Sequence, residues 1–245
     1  MKPLFRVCLV FLLATNLALA CDKLESGLIA KGEPFQTEFH VCKGKAPGPV
    51  ILVNGGIHGD EVAGIKAAEY FRSVRLHNGT LIVIPRMNRI ASEKGVRFEN
   101  IEFNHQFPGR ADAKFYESRL AHALTRFIGE RKPALILSLH ESHLHRLKKG
   151  NKFGGQVIYY GVKPAPANLT GAIRRINAHL PEPDRHFVAT YYPVNGATSE
   201  VWTALFGGEA YAIETWRGYA LEERIALHKD VVRGFLQQMG MGLMD

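Results

Sequence analysis

The chain has 245 residues, a formal net charge of +8 at pH 7, 46% hydrophobic and 22% charged residues, and three cysteines. That size and mixture suit one domain with a full core and exclude a disordered chain or a small disulfide-stapled scaffold. The basic excess favours anionic surroundings or substrates. Lys and Arg are scattered rather than clustered with aromatics on one element, which speaks against a nucleic-acid partner.

Residues 1–20 have the pattern of a signal peptide. Lys2 and Arg6 precede an apolar run over 7–13, and Ala18-Leu19-Ala20 fits the small-x-small cleavage pattern. Thr15 and Asn16 interrupt the run well short of the roughly 20 apolar residues a spanning helix needs. The expectation is export to the periplasm or envelope, with 21–245 forming a single domain. Cleavage after Ala20 would leave Cys21 first in the chain, open to two chemistries: lipidation, which would bring a membrane partner, or pairing with Cys42 in an oxidising compartment. Closing that loop would be worth about 3 kcal/mol.

Beyond this leader, short β-rich apolar runs alternate with helical patterns. A strand is expected over 50–53, followed by the turn Asn54-Gly55-Gly56 and a helix from Asp60, with Val62, Ile65, Ala68 and Phe71 near one face. The unbroken apolar run over 80–85 predicts a strand covered on both sides. Residues 86–113 are polar and weakly periodic, as in a long functional loop. A helix over 115–128 and a strand over 134–139 follow. Further strands are expected over 156–160, 186–192 and 210–215, with a last helix over 222–239. The alternation predicts a three-layer α/β/α sandwich around a mostly parallel or mixed sheet.

The sharpest chemical signal is Gly55-Gly56-Ile57-His58-Gly59-Asp60-Glu61, directly after a strand. His58 and Glu61, three residues apart on a strand-to-helix turn, supply a neutral nitrogen and an anionic oxygen that can bend toward one point. Both are ordinary zinc donors. His140 ends another strand, where ligands of open α/β sheets gather. Three protein donors leave a fourth position for water, the arrangement of a catalytic zinc, whose water loses its proton near neutral pH. Glu214 closes the strand over 210–215, where a carboxylate is costly to bury without a purpose. It is either the general base or half of a salt bridge to Arg217. His143 and His145 lack the helical spacing of a second ligand pair and are expected to line the loop. Tyr159, Tyr160, Tyr191 and Tyr192 are expected to be ordinary strand aromatics, with a pocket wall as the other reading.

Together these motifs resemble the zinc carboxypeptidase clan, in particular its succinylglutamate desuccinylase and aspartoacylase family. The residues from Gly55 to Glu61 look like that family's first metal motif, Ser138-Leu139-His140-Glu141 like its second, and Ala212-Ile213-Glu214-Thr215 like its catalytic strand. The resemblance implies one Zn2+ held by His58, Glu61 and His140, with Glu214 as the general base. It also implies that Arg97 polarises the scissile carbonyl and that Asn88, Arg89, Asn104 and His105 contact substrate. Two positions depart from the family. His105 stands where an arginine usually clamps a substrate carboxylate, a fork that imidazole cannot make. An anchor from Arg89 or Arg110 would then be needed. Ser138 stands where the desuccinylases have aspartate.

The expected function is an exported zinc hydrolase cleaving an amide bond, a carboxypeptidase or amidase on short peptides derived from peptidoglycan. An N-acyl-amino-acid deacylase is the alternative, and a catalytically silent binding module a third reading.

Overall fold

The computed structural model describes residues 23–194 and 196–244. In chain order the elements are β1 (Lys23–Ile29), β2 (Thr37–Lys43), β3 (Ala46–Asn54), α1 (Val62–Phe71), β4 (Arg75–Leu76), β5 (Asn78–Ile84), α2 (Arg89–Lys94), α3 (Tyr116–Arg131), β6 (Leu135–Ser142), β7 (Val157–Tyr160), α4 (Ala167–Asn177), β8 (Val188–Tyr191), α5 (Thr198–Phe206), β9 (Glu209–Trp216), α6 (Leu221–Gln238) and β10 (Leu243–Met244). Eight strands form one sheet in the order β1-β2-β5-β3-β6-β9-β7-β8, and β4 pairs with β10. The central strands β5, β3, β6 and β9 are parallel. The hairpin β1–β2 is antiparallel to them at one edge, and β7 is antiparallel to β9 at the other. The sheet is therefore mixed, as the three-layer expectation allowed.

Alternation along the strands sorts the core into two layers. Ile51, Val53, Leu135, Leu137, Leu139, Tyr211 and Ile213 pack with side chains of α1, α4 and α6, such as Phe71, Ile176 and Phe235. Leu52, Ile82, Ile84, Ile136 and Ala210 point the other way, toward Leu120 and Leu124 of α3 and Trp202 of α5. Interior strands buried on both faces need unbroken apolar runs. Each such side chain is worth roughly 1.5–3 kcal/mol. Because α1 packs into one core layer and α3 into the other, the chain changes direction between β3 and β6, the place where ligands of open α/β sheets gather at the strands' carboxyl ends.

The stretch 86–113 is more ordered than its polarity suggested. Asn88 caps α2 by accepting from the Ala91 N–H at 3.2 Å, and a short 3-10 turn covers Phe103–His105. The pairing of Cys21 with Cys42, like its lipidation and the leader itself, falls on residues outside those described. Cys42 is buried in β2 and is disulfide-bonded. Among the described residues no helix is long and apolar enough to cross a membrane.

His228 of α6 is fully buried, with Nε2 3.0 Å from the Thr215 hydroxyl. Burial above all depresses its pKa to about 3. Between that value and the ordinary 6.5 the unfolded chain binds a proton that the fold refuses, so this site's contribution to stability is full above pH 6.5 and is lost as pH falls below it. Its slope is about 1.4 kcal/mol per pH unit. His228→Gln is expected to flatten the fall in urea midpoint between pH 6.5 and 5 in chelator-treated protein. An unchanged slope would refute this assignment.

Candidate metal centre and catalytic cleft

The turn after β3 and the start of α1 are brought to the end of β6 by two close approaches. A Cβ at Gly59 would lie 2.1 Å from the Ala91 carbonyl carbon, and one at Gly64 would lie 2.5 Å from the Leu139 oxygen. Only glycine lets the turn lie on α2 and lets α1 lie on β6. Glu141, on the far face of β6, accepts from the Ala63 N–H at 3.0 Å and from Arg224 of α6, fastening the start of α1 to the strand.

This packing puts the Glu61 carboxylate between two imidazoles. Its Oε1 is 2.8 Å from His58 Nδ1 and its Oε2 is 2.8 Å from His140 Nδ1. The three residues are 3%, 1% and 2% exposed for His58, Glu61 and His140, so neither the charge nor the ring nitrogens are solvated. Burial alone would lower the His58 pKa, but the charge on Glu61 and hydrogen bonds to Glu102 and Glu61 raise it to about 9. Burial likewise disfavours the charge on Glu61, yet His140 and His58 hold its carboxyl well below the usual range. Protons thus stand in these contacts where a cation can stand instead.

The donor set fits a divalent metal of the zinc type. One nitrogen from each imidazole and one carboxylate oxygen lie within 4.8 Å of one another, in the sole such group among the described residues. His58 is also oriented from behind, since its Nε2 is 2.8 Å from Glu102 Oε1. Glu102 is held to about 2 because, against the effect of burial, the hydrogen bond and charge of His58 and the charge of Arg97 favour its ionised form. A carboxylate behind a ligating imidazole fixes its tautomer and raises its basicity. Glu102→Gln is expected to weaken zinc binding by roughly 10- to 100-fold, read by chelator competition, with no change in the folded far-UV spectrum. An unaltered affinity would remove Glu102 from the centre.

Glu214 stands directly opposite His140 in the parallel β6–β9 pairing and therefore on the same sheet face. It is half-buried. Burial, reinforced by the charge on Glu61 and opposed by His140, His58 and Arg97, raises its pKa to about 7. Arg97 reaches the cluster from the loop after α2. Its Nε donates to Glu102 Oε2 at 3.1 Å, and its terminal nitrogen is 3.6 Å from Glu61 Oε1.

The other expected residues divide. The Asn104 N–H donates to Glu102 Oε1 at 3.2 Å, which ties that segment to the centre, and His105 beside it is exposed. Asn88 is turned to structural work: its side-chain oxygen accepts from the Tyr116 hydroxyl at 3.0 Å as well as capping α2. Arg89 is engaged within the fold. Its guanidinium donates to the Gln36 and Pro34 carbonyls at 2.8 and 2.6 Å and pairs with Glu93, so it clasps the turn of the β1–β2 hairpin. Arg110 is spent on exposed Asp112 at 3.0 Å. His145 is buried 3.2 Å from the Tyr219 hydroxyl and the Asp184 carbonyl, outside the metal cluster. Glu102, which motif spacing missed, carries one faint signal: it is an acid two residues before Asn104, whose N–H donates to it.

A buried three-donor cluster at the carboxyl ends of a mixed eight-stranded sheet, with helices on both faces, defines an α/β domain of the zinc carboxypeptidase-like fold. Within that class, residues 47–148 match the family model of the succinylglutamate desuccinylase/aspartoacylase catalytic domain, so the family resemblance of the motifs is shown over that stretch. Among curated proteins, the chain is 34% identical over 103 residues to N-alpha-acetyl-L-2,4-diaminobutyric acid deacetylase of Halomonas elongata, a match covering 39% of this chain and 29% of that protein. Among solved structures, it is similar to the product-bound cell shape determinant protein Csd4 of Helicobacter pylori, with a TM-score of 0.72, 20% identity, and coverage of 85% of this chain and 56% of that one. A succinylglutamate desuccinylase from Silicibacter sp. TM1040 matches with a TM-score of 0.68 and 18% identity, covering 93% of this chain and 71% of that one. The match thus spans less than a third of the deacetylase and just over half of Csd4.

Proposed function

We propose that the chain is a zinc-dependent hydrolase that cleaves an amide bond in short peptides, acting as a carboxypeptidase or amidase on peptides of the cell wall. The observation that carries this reading is the buried Glu61 shared by His58 and His140, with Glu214 in register beside it. Zinc held there supplies electrophilic activation and lowers the pKa of water from about 15.7 to about 7. Glu214, with a pKa near 7, is matched both to accept a proton from the attacking water and to return it to the leaving nitrogen. The Arg97 guanidinium, anchored on Glu102, stands where it can hold the carbonyl oxygen as negative charge develops. A silent binding module would have no use for a half-buried carboxylate kept beside three metal donors.

The cell-wall substrate is supported by the similarity to Csd4, described as a D,L-carboxypeptidase in its mDAP-bound form. Export, expected from residues 1–20, belongs to the same proposal. The Halomonas deacetylase favours a second reading, removal of an acyl group from a small amino acid. Incubating the zinc-loaded protein with muropeptides and with a panel of N-acyl amino acids separates the two. Release of an amino acid from the muropeptides alone supports the first reading, and release of free acid from the acyl panel alone supports the second. No hydrolysis of either would sink both.

A further inference from the structure

Beside Glu214 the sheet carries a group of aromatic rings that the proposed chemistry does not use. Tyr159 of β7 pairs with Ala212 of β9, two residues before Glu214, and so lies on the same sheet face as the base. Its ring centroid is 5.4 Å from that of Tyr192, which leaves the end of β8, and 6.3 Å from that of Phe153. Phe153 and Tyr192 meet edge to face at 5.4 Å. Rings at these separations stabilise one another, yet Phe153 and Tyr192 remain 41% and 46% exposed.

The group is built, not adventitious. The Gly154 N–H donates to the Tyr159 hydroxyl at 2.9 Å. A Cβ at Gly154 would lie 2.3 Å from the Leu144 oxygen, at a φ of +104°, so only glycine carries the loop to this ring. The loop is also fastened underneath by buried Arg146, which donates to the His186 and Pro183 carbonyls at 2.9 and 2.7 Å. Its outer positions, Lys148, Lys149 and Lys152, are exposed cations.

We propose that Phe153, Tyr159 and Tyr192 form a stacking shelf for a pyranose ring attached to the peptide being cleaved, so that the enzyme selects glycan-linked peptides over free ones. This rests on the cell-wall reading above and narrows its substrate. A shelf open to solvent would leave an aliphatic side chain half wet, whereas a sugar lays its C–H face on the rings and keeps its hydroxyl edge in water. The lysines on the same loop attract the carboxylates of the attached peptide. Tyr159 lies on the neighbouring strand two residues along from the partner of Glu214, on the same face, which puts a stacked sugar within a few residues' reach of the scissile bond.

The test compares a peptide amide-linked to a β-1,4 disaccharide of N-acetylated sugars with the same peptide free, using zinc-loaded enzyme. In parallel, saturation-transfer NMR reads contact between the protein and the disaccharide's ring protons. The linked substrate is expected to show at least about tenfold higher kcat/KM. Phe153→Ala should bring that ratio toward one and erase the saturation transfer, while Phe153→Trp should keep both. Equal turnover of the two substrates by wild type would overturn the shelf while leaving the hydrolase standing. If neither substrate is cleaved, the hydrolase reading fails on its own and the NMR decides the shelf: transfer that Phe153→Ala abolishes supports it, and none overturns it.

Discussion

Replacing Glu214 by glutamine is expected to lower turnover of the amide substrate by roughly 10²- to 10⁴-fold, the usual worth of a positioned general base, with the metal content unchanged. The amide has the shape of the carboxylate, so the strand pairing that sets Glu214 opposite His140 survives. What is lost is a group that exchanges a proton near neutral pH, since glutamine has none to accept or return. A second signature separates this from mere damage. The folded pKa of Glu214, about 7, is above the ordinary 4.5, so the fold binds a proton between those values that the unfolded chain does not. That contribution favours the fold at low pH and is lost as pH rises through 7. In chelator-treated protein, Glu214→Gln should therefore gain stability relative to wild type above pH 7. Wild-type turnover by the glutamine variant with zinc bound would remove Glu214 from the chemistry.

The parts of this centre differ in how plainly the chain announces them. His58, Glu61 and His140 are legible because each follows an apolar strand at a fixed offset, and a parallel sheet delivers all such ends to one rim. Glu214 is legible for the same reason. Glu102 is not, because its contact with His58 joins two loop segments 44 residues apart in sequence, and no periodicity encodes a loop-to-loop meeting. Arg89 makes contacts that are equally hidden in the sequence. It sits beside Asn88 in a segment of family-like sequence, but its fork is taken by carbonyls of Pro34 and Gln36 in the turn of a hairpin whose polar strands give little apolar signal. The order between α2 and α3 was hidden because capping by Asn88 and the support of Glu102 are side-chain events within polar sequence.

Glu61→Gln should produce the other large effect, and by a different route: loss of the metal itself. Glu61 is the one anionic donor of the cluster and the one group that touches both imidazoles, at 2.8 Å each. Glutamine keeps one acceptor oxygen and replaces the other with a donor NH2, so one of the two Nδ1 atoms faces a group that cannot accept its proton. The neutral amide also removes the charge that helps balance a divalent cation among buried donors. Zinc affinity is expected to fall by more than roughly 100-fold, beyond the range of an outer partner such as Glu102. Hydrolysis should disappear with it at limiting zinc. Because a ligand that binds only the native state stabilises it by about 2.7 kcal/mol at a hundred times its Kd, added zinc should raise the Tm of wild type and of Glu214→Gln, but not of Glu61→Gln. The two variants then share a dead reaction and differ in thermal response. A zinc-dependent Tm rise in Glu61→Gln equal to that of wild type would mean the ion is held somewhere other than between His58 and His140.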